Sequence, residues 1–269
     1  MSVVLSPNLV IGRADDYVDD LPVILWQNLV DTSNLVADHE DTDYPATNLA
    51  NPRTAELWKS GSTSDGSLTV TLSGEIETDS VGIARHNFGS GEVTVTIYGT
   101  LSGGSPAIVA GPTLLGDDTP ALWVFEPDYY TEIEVLLEPG SVQPQAGVLY
   151  VGPSLTVMRN VPPGYRPIKH ARERDKLIGS SSNGEYIGAI ILSERLATTF
   201  DLRLLDGDWY WENMQDFVDA STEPFFLAQF PDSDPTDCAF CWALNDPQPT
   251  ISQITGEVDI SFQLGGLGL

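Results

Sequence analysis

From residue 66 onward, polar and apolar residues alternate with a period of two. Ser67-Leu68-Thr69-Val70-Thr71-Leu72 and Glu92-Val93-Thr94-Val95-Thr96-Ile97-Tyr98 are the clearest stretches, and this is the period of a strand with one buried face. Around them lie short apolar runs at 81–84, 121–125, 133–137 and 148–151, separated by clusters of Gly, Pro, Asp and Ser. Short strands punctuated this way predict a β-sandwich. Little in residues 1–155 has the period of a long amphipathic helix.

The C-terminal half has a different order. Tyr186, Ile187, Ala189, Ile190, Ile191 and Leu192, then Phe200, Leu202, Leu204 and Leu205, predict one long strand or a bent strand pair over 185–205. A helix is predicted over 208–220: Asp206 and Asp208 supply acid at its start, and Trp209, Met214, Phe217 and Val218 form an apolar stripe suited to a core. Strands follow over 224–230, 238–244 and 254–264. The fold class expected is therefore mostly β, an N-terminal sandwich plus a C-terminal β module with one short helix. The expected division is 1–155 (with 1–30 as an N-terminal extension), a basic linker or arm over 156–180, and the β domain over 181–269.

Length and composition agree. The 269 residues suit one large or two modest domains, and 24 Gly with 19 Pro fit a turn-rich β protein. Asp and Glu number 39 against 12 Lys and Arg, a net charge of -27, which argues against nucleic-acid or anionic-membrane partners. The early apolar stretch 21–30 is too short to span a bilayer, and no basic-then-apolar leader is visible. Charge is uneven, however. Arg159, Arg166, Lys169, Arg172, Arg174 and Lys176 place half of all cations within 159–176, alongside His170. That stretch contains Asn160-Val161-Pro162-Pro163-Gly164-Tyr165-Arg166-Pro167, an extended, turn-rich reading. It is either a linker neutralising its own acidic surroundings or an assembly arm that docks on an acidic neighbour, most simply another copy.

Catalytic and metal signatures are thin. Cys238 and Cys241 form a CxxC, but zinc normally needs four ligands, and in a strand residues three apart face opposite ways; a structural role is expected. His39, His86 and His170 are far apart in sequence, and no nucleophile elbow, zincin helix or Walker loop occurs. Asp232, Asp234 and Asp237 fail the EF-hand pattern, since its sixth position is Asp237 and its twelfth Ala243. No catalytic residue, metal ligand or cofactor is expected, and no enzymatic activity.

Two resemblances give the halves names. Tyr44-Pro45-Ala46-Thr47-Asn48-Leu49, then Trp58 and a polar run before the strands, resemble the start of a galactose-binding-like (discoidin-type) jelly roll over about 30–155. Ile83-Ala84-Arg85-His86-Asn87-Phe88 resembles a strand and turn of phage virion proteins with this fold. The resemblance implies loops that often bind glycans. Trp58 is then a sugar-stacking residue or, better, a core plug, and His86 and Asn87 are ligand contacts or, better, a turn.

The long strand, the helix with Trp209 and Phe217, Pro224-Phe225-Phe226, Trp242 and the ending Phe262-Gln263-Leu264-Gly265-Gly266-Leu267 resemble the sheet-forming module of tail-tip and distal-tail proteins of long-tailed phages. Gly164-Tyr165-Arg166-Pro167 fits the same comparison. This resemblance implies a ring-forming structural protein of the virion that joins tail tube to tail tip, with other copies of itself and other tail proteins as partners. One departure is order, because here the sandwich comes first. The rival expectation is a glycan-binding module for host-cell adsorption.

Overall fold

A computed structural model describes residues 3–5, 20–252 and 254–267. In chain order the N-terminal strands are β1 (Val3–Leu5), β2 (Val23–Leu25), β3 (Leu35–Ala37), β4 (Trp58–Lys59), β5 (Gly66–Ala84), β6 (Thr94–Leu101), β7 (Ala107–Leu114), β8 (Ala121–Glu138), β9 (Gln145–Ala146) and β10 (Val148–Gly152). The remainder are β11 (Leu155–Thr156), β12 (Arg172–Ser180), β13 (Tyr186–Leu205), β14 (Phe225–Ala228), β15 (Cys238–Ala243), β16 (Thr250–Ile251) and β17 (Val258–Gly266). The fold is mostly β with one short helix region, as the periodicity predicts.

Two long strands make the sandwich. β5 and β8 pair antiparallel from Gly66↔Leu137 to Ile83↔Ala121, with register shifts between Thr71 and Ile76 and between Thr78 and Ser80. These irregularities bend the ribbon. One half carries β10 on β5 and β1, parallel, on β8. The other half carries β3 on β5, and β6 then β7 beside β8. Between the halves lies a core that includes Leu68, Val70, Ile83, Trp123, Phe125, Ile133 and Leu149.

A second sheet runs in the order β11-β2-β14-β15-β17-β13-β12. A core on one face holds Phe200, Phe217, Phe225 and Phe262 together with Tyr210 and Met214 of the helix. That helix begins at Asp206, whose carboxylate accepts the Trp209 N–H. It passes through a π turn at Tyr210–Met214 before its last α-helical stretch, Gln215–Ala220.

The two sheets are welded by a third apolar layer. Ala84, Leu122, Val124, Val148 and Tyr150 of the sandwich meet Val23, Leu25, Phe226, Ala228, Cys238 and Phe240 of the second sheet. The Tyr150 hydroxyl donates to the Pro224 carbonyl at 2.8 Å. A Cβ on Gly82 would come within 2.7 Å of the Phe226 ring, so only glycine fits there. The seam explains the continuous apolar runs at 81–84, 121–125 and 148–151: covered on both faces, they have no reason to alternate.

The chain also crosses between the layers. Of the expected extension over 1–30, residues 1–2 and 6–19 lie outside the described residues, and β2 pairs with β14 and β11 in the second sheet. The expected linker, 156–180, holds Thr156 of β11, a 3-10 turn at Ile168–His170 and the whole of β12. At the crossover, Asp79 of β5 accepts hydrogen bonds from the Ser154 N–H at 2.6 Å and the Ser154 hydroxyl at 2.9 Å. Burial pushes the Asp79 carboxyl up to about 6, against the pull of those donors.

Candidate functional site

The most distinctive surface is the hairpin formed by β12 and the first half of β13. It pairs from Arg172↔Leu196 to Ser180↔Tyr186, with register shifts that leave Ile187 and Leu192 as extra residues on β13. Its turn is closed by Ser181 N–H donating to the Glu185 carbonyl at 2.8 Å and by Gly184 N–H donating to the Ser181 carbonyl at 2.9 Å. Gly184 takes φ +82°, where glycine is the natural choice.

The hairpin foot is held by ion pairs. Glu194 takes both Arg172, at 2.8 Å, and Arg174, at 2.5 Å. Glu173 takes Arg195 at 2.7 Å. The Ala197 N–H donates to the Ala171 carbonyl at 2.9 Å. Above the foot the chemistry turns apolar. Leu177, Ile178, Tyr186, Ile187, Ile190, Ile191 and Leu192 are all exposed, Tyr186 by 71% and Ile187 by 70%. A run that by pattern looks like a core strand is therefore bare to solvent.

The structure sorts the cations of the expected arm. Arg172, Arg174 and Lys176 alternate along β12 and share one face of the hairpin. Lys169 is drawn back onto the body, with its ammonium 2.7 Å from both oxygens of Asp234 and bonded to the Thr236 hydroxyl. That pairing holds the Asp234 carboxyl below its ordinary range. Arg159, Arg166 and His170 are exposed. Arg166 lines a groove of about 410 Å³ between the loop from Val161 and the β13 residues Thr198, Asp201 and Arg203. The apolar hairpin residues went unrecognised as surface because periodicity cannot tell a doubly covered strand from a bare one.

Of the glycan candidates, Trp58 and His86 are buried and Asn87 is half-buried. Trp58 is only 2% exposed and packs in the sandwich core. The space beside it, bounded by His39, Ser60, Ser67 and Pro144, measures about 10 Å³, room for a water and far below a sugar ring. His86 is buried, its ring stacked on Phe88 at 4.8 Å, and its Nδ1 accepts the Phe88 N–H at 3.2 Å. Burial pushes its pKa down to about 4, so it is neutral at pH 7. Asn87 donates to the Gln143 carbonyl at 3.0 Å and accepts from the Gln145 N–H at 2.9 Å. Asn87 and His86 thus brace loops of the sandwich, while Trp58 fills its core.

Cys238 and Cys241 project to opposite sides of β15, one into the seam and the other into the second core. Burial pushes both thiols up, which makes them poor nucleophiles. In the acidic loop, Asp237 is buried and accepts the Tyr165 hydroxyl at 3.5 Å. Asp20 accepts the N–H groups of Asp232 and Ser233. Among the described residues no group of three or more His, Cys, Asp or Glu side chains is placed to hold a metal.

No protein-family model matches the chain. No curated protein matches it either. Solved structures similar to it include chitosan-binding module 1 of a chitosanase/glucanase from Paenibacillus sp. IK-5. That module is 16% identical, with 47% of this chain and 99% of that one covered at a TM-score of 0.40. Another is the family 32 CBM of Clostridium perfringens NanJ, solved with galactose: 19% identical, with 50% of this chain and 100% of that one covered, also at 0.40. These are carbohydrate-binding modules, about half as long as this chain. Their likeness concerns fold alone, and the functional reading rests on the hairpin.

Proposed function

We propose that this chain is a self-assembling structural component of the tail tip or baseplate of a long-tailed phage, placed in the virion and without catalytic activity. One observation carries the assembly reading: an anchored hairpin with seven large apolar side chains exposed. Soluble monomers rarely leave so many together uncovered, and a cluster of this kind marks an interaction surface. Each such side chain gains roughly 1.5–3 kcal/mol when fully buried, so covering even half of them is a large drive to associate. The partner that is always present is another copy. The hairpin is also where copies of charge -27 meet with least repulsion, since residues 172–196 hold four acids and four bases. The tail assignment comes from the sequence resemblance of the second sheet and its helix to distal-tail modules.

Sedimentation velocity of the full chain at rising concentration, with negative-stain electron microscopy of the same samples, tests this reading. Closed rings of one diameter are expected. Monodisperse single chains at every concentration, together with binding of a host polysaccharide by the full chain, would replace assembly with glycan recognition.

A further inference from the structure

The hairpin is apolar on both faces, and the two faces differ in charge. The alternation of β12 puts Arg172, Arg174, Lys176 and Ile178 on one face and Glu173, Asp175 and Leu177 on the other. Cross-strand partners share a face, so Glu194, Ile191 and Tyr186 join the first, while Arg195 and Ile190 join the second. The ion pairs agree with this division, since Glu194 bonds Arg172 and Arg174 whereas Glu173 bonds Arg195. One face thus carries three cations against one carboxylate, and the other two carboxylates against one cation.

We propose that hairpins of successive copies stack face to face, the cationic face of one on the acidic face of the next. This deepens the assembly reading above and rests on it. A single flat partner would cover one apolar face and leave the other wet, whereas a hairpin lying between two others is covered on both. Stacked β layers pack roughly 10 Å apart, close enough for Ile178 and Ile191 of one copy to bury Leu177 and Ile190 of the next. At the foot of the same stack, Arg172, Arg174 and Lys176 lie over Glu173 and Asp175. A two-fold contact would use the same face twice, setting cations on cations or carboxylates on carboxylates. The stack is therefore head-to-tail, and it closes into a ring or runs on as a filament.

A charge exchange tests this in the full chain. Asp175 and Lys176 are neighbours on opposite faces, both exposed. Asp175→Lys alone and Lys176→Glu alone each weaken one side of every contact. The expected rise in the half-assembly concentration is roughly fivefold, equivalent to about 1 kcal/mol. The stack sets Lys176 of one copy over Asp175 of the next, so the double variant D175K/K176E opposes unlike charges again at that one pair, while the faces as wholes no longer carry opposite net charge. Its half-assembly concentration should fall about twofold or more below that of either single variant without regaining the original value. Thermal melts of all variants should coincide, because neither residue is buried.

Wild-type chains that stay single at every concentration would remove both this proposal and the assembly reading. Rings that form but ignore the exchange, or a double variant no better than the singles, would overturn the stacking alone. Tighter association of Lys176→Glu would point to a two-fold contact between cationic faces and equally overturn it.

Discussion

The seam and the hairpin have the same amino-acid pattern and opposite surroundings. At 81–84, 121–124 and 148–151 the run is apolar at successive positions, with one set of side chains in the sandwich core and the other against β2, β14 and β15. At 177–178 and 186–192 the run is again nearly continuous, yet its large residues are exposed. A strand apolar on both faces is a strand with two covers. In the seam both covers belong to the same chain. In the hairpin neither does, and that difference separates a residue set that folds the protein from one available to join copies of it.

The comparison is broken most strongly by truncation at the seam. Phe226 is fully buried and meets Phe240 at 4.9 Å and Tyr150 at 5.5 Å between ring centroids. Phe226→Ala should cost about 3–5 kcal/mol in unfolding free energy, read from urea titration. It should also loosen the two sheets together, because Phe226 touches β5 at Gly82. Two well-separated unfolding transitions in the wild type would show that the seam does not couple the sheets.

A smaller effect is expected at Asp79, which ties the sandwich to the crossover at Ser154. Its folded pKa, raised to about 6 by burial, exceeds the ordinary carboxylate value, so the folded chain binds this proton more tightly than the unfolded one. The contribution is fully present below about pH 4 and is lost as pH rises through 6. Asp79→Asn removes that loss. Relative to wild type, the variant should match at pH 4 and gain on the order of 1–3 kcal/mol by pH 8, as measured by denaturant unfolding across that range. A variant equally destabilised at both pH values would mean that the Ser154 hydrogen bonds, and not the buried charge, dominate.

How much of this was legible follows from what a linear pattern encodes. Strand periodicity placed β5, β6, β8, β10, β13 and β17, and the acid-started apolar stripe placed the helix, because period and capping are local. The role of β2 was not legible, since three residues that pair with β14 some 200 positions later leave no local mark. The cationic cluster was visible as composition, but its division was hidden. Lys169 turns inward to Asp234 because of where the acidic loop folds, while Arg172, Arg174 and Lys176 share a face only once β12 is known to be a strand. The exposure of Ile187 and Ile190 was beyond reach for the same reason that 81–84 looks similar.

The least disruptive change is the one that sharpens the comparison most. Ile187→Ser with Ile190→Ser replaces two exposed apolar side chains on a hairpin whose backbone pairing is set by β12. Neither residue contributes to a buried cluster of its own chain, so unfolding free energy should move by no more than about 0.5 kcal/mol, the range of ordinary surface substitutions. The same pair of changes removes apolar area that the proposed assembly buries, and rings should fail to form at concentrations where the wild type forms them. Stability unchanged with assembly lost would assign these residues to contacts between copies. A loss of several kcal/mol would instead mean that the hairpin folds against its own body in solution, and the distinction between seam and hairpin would disappear.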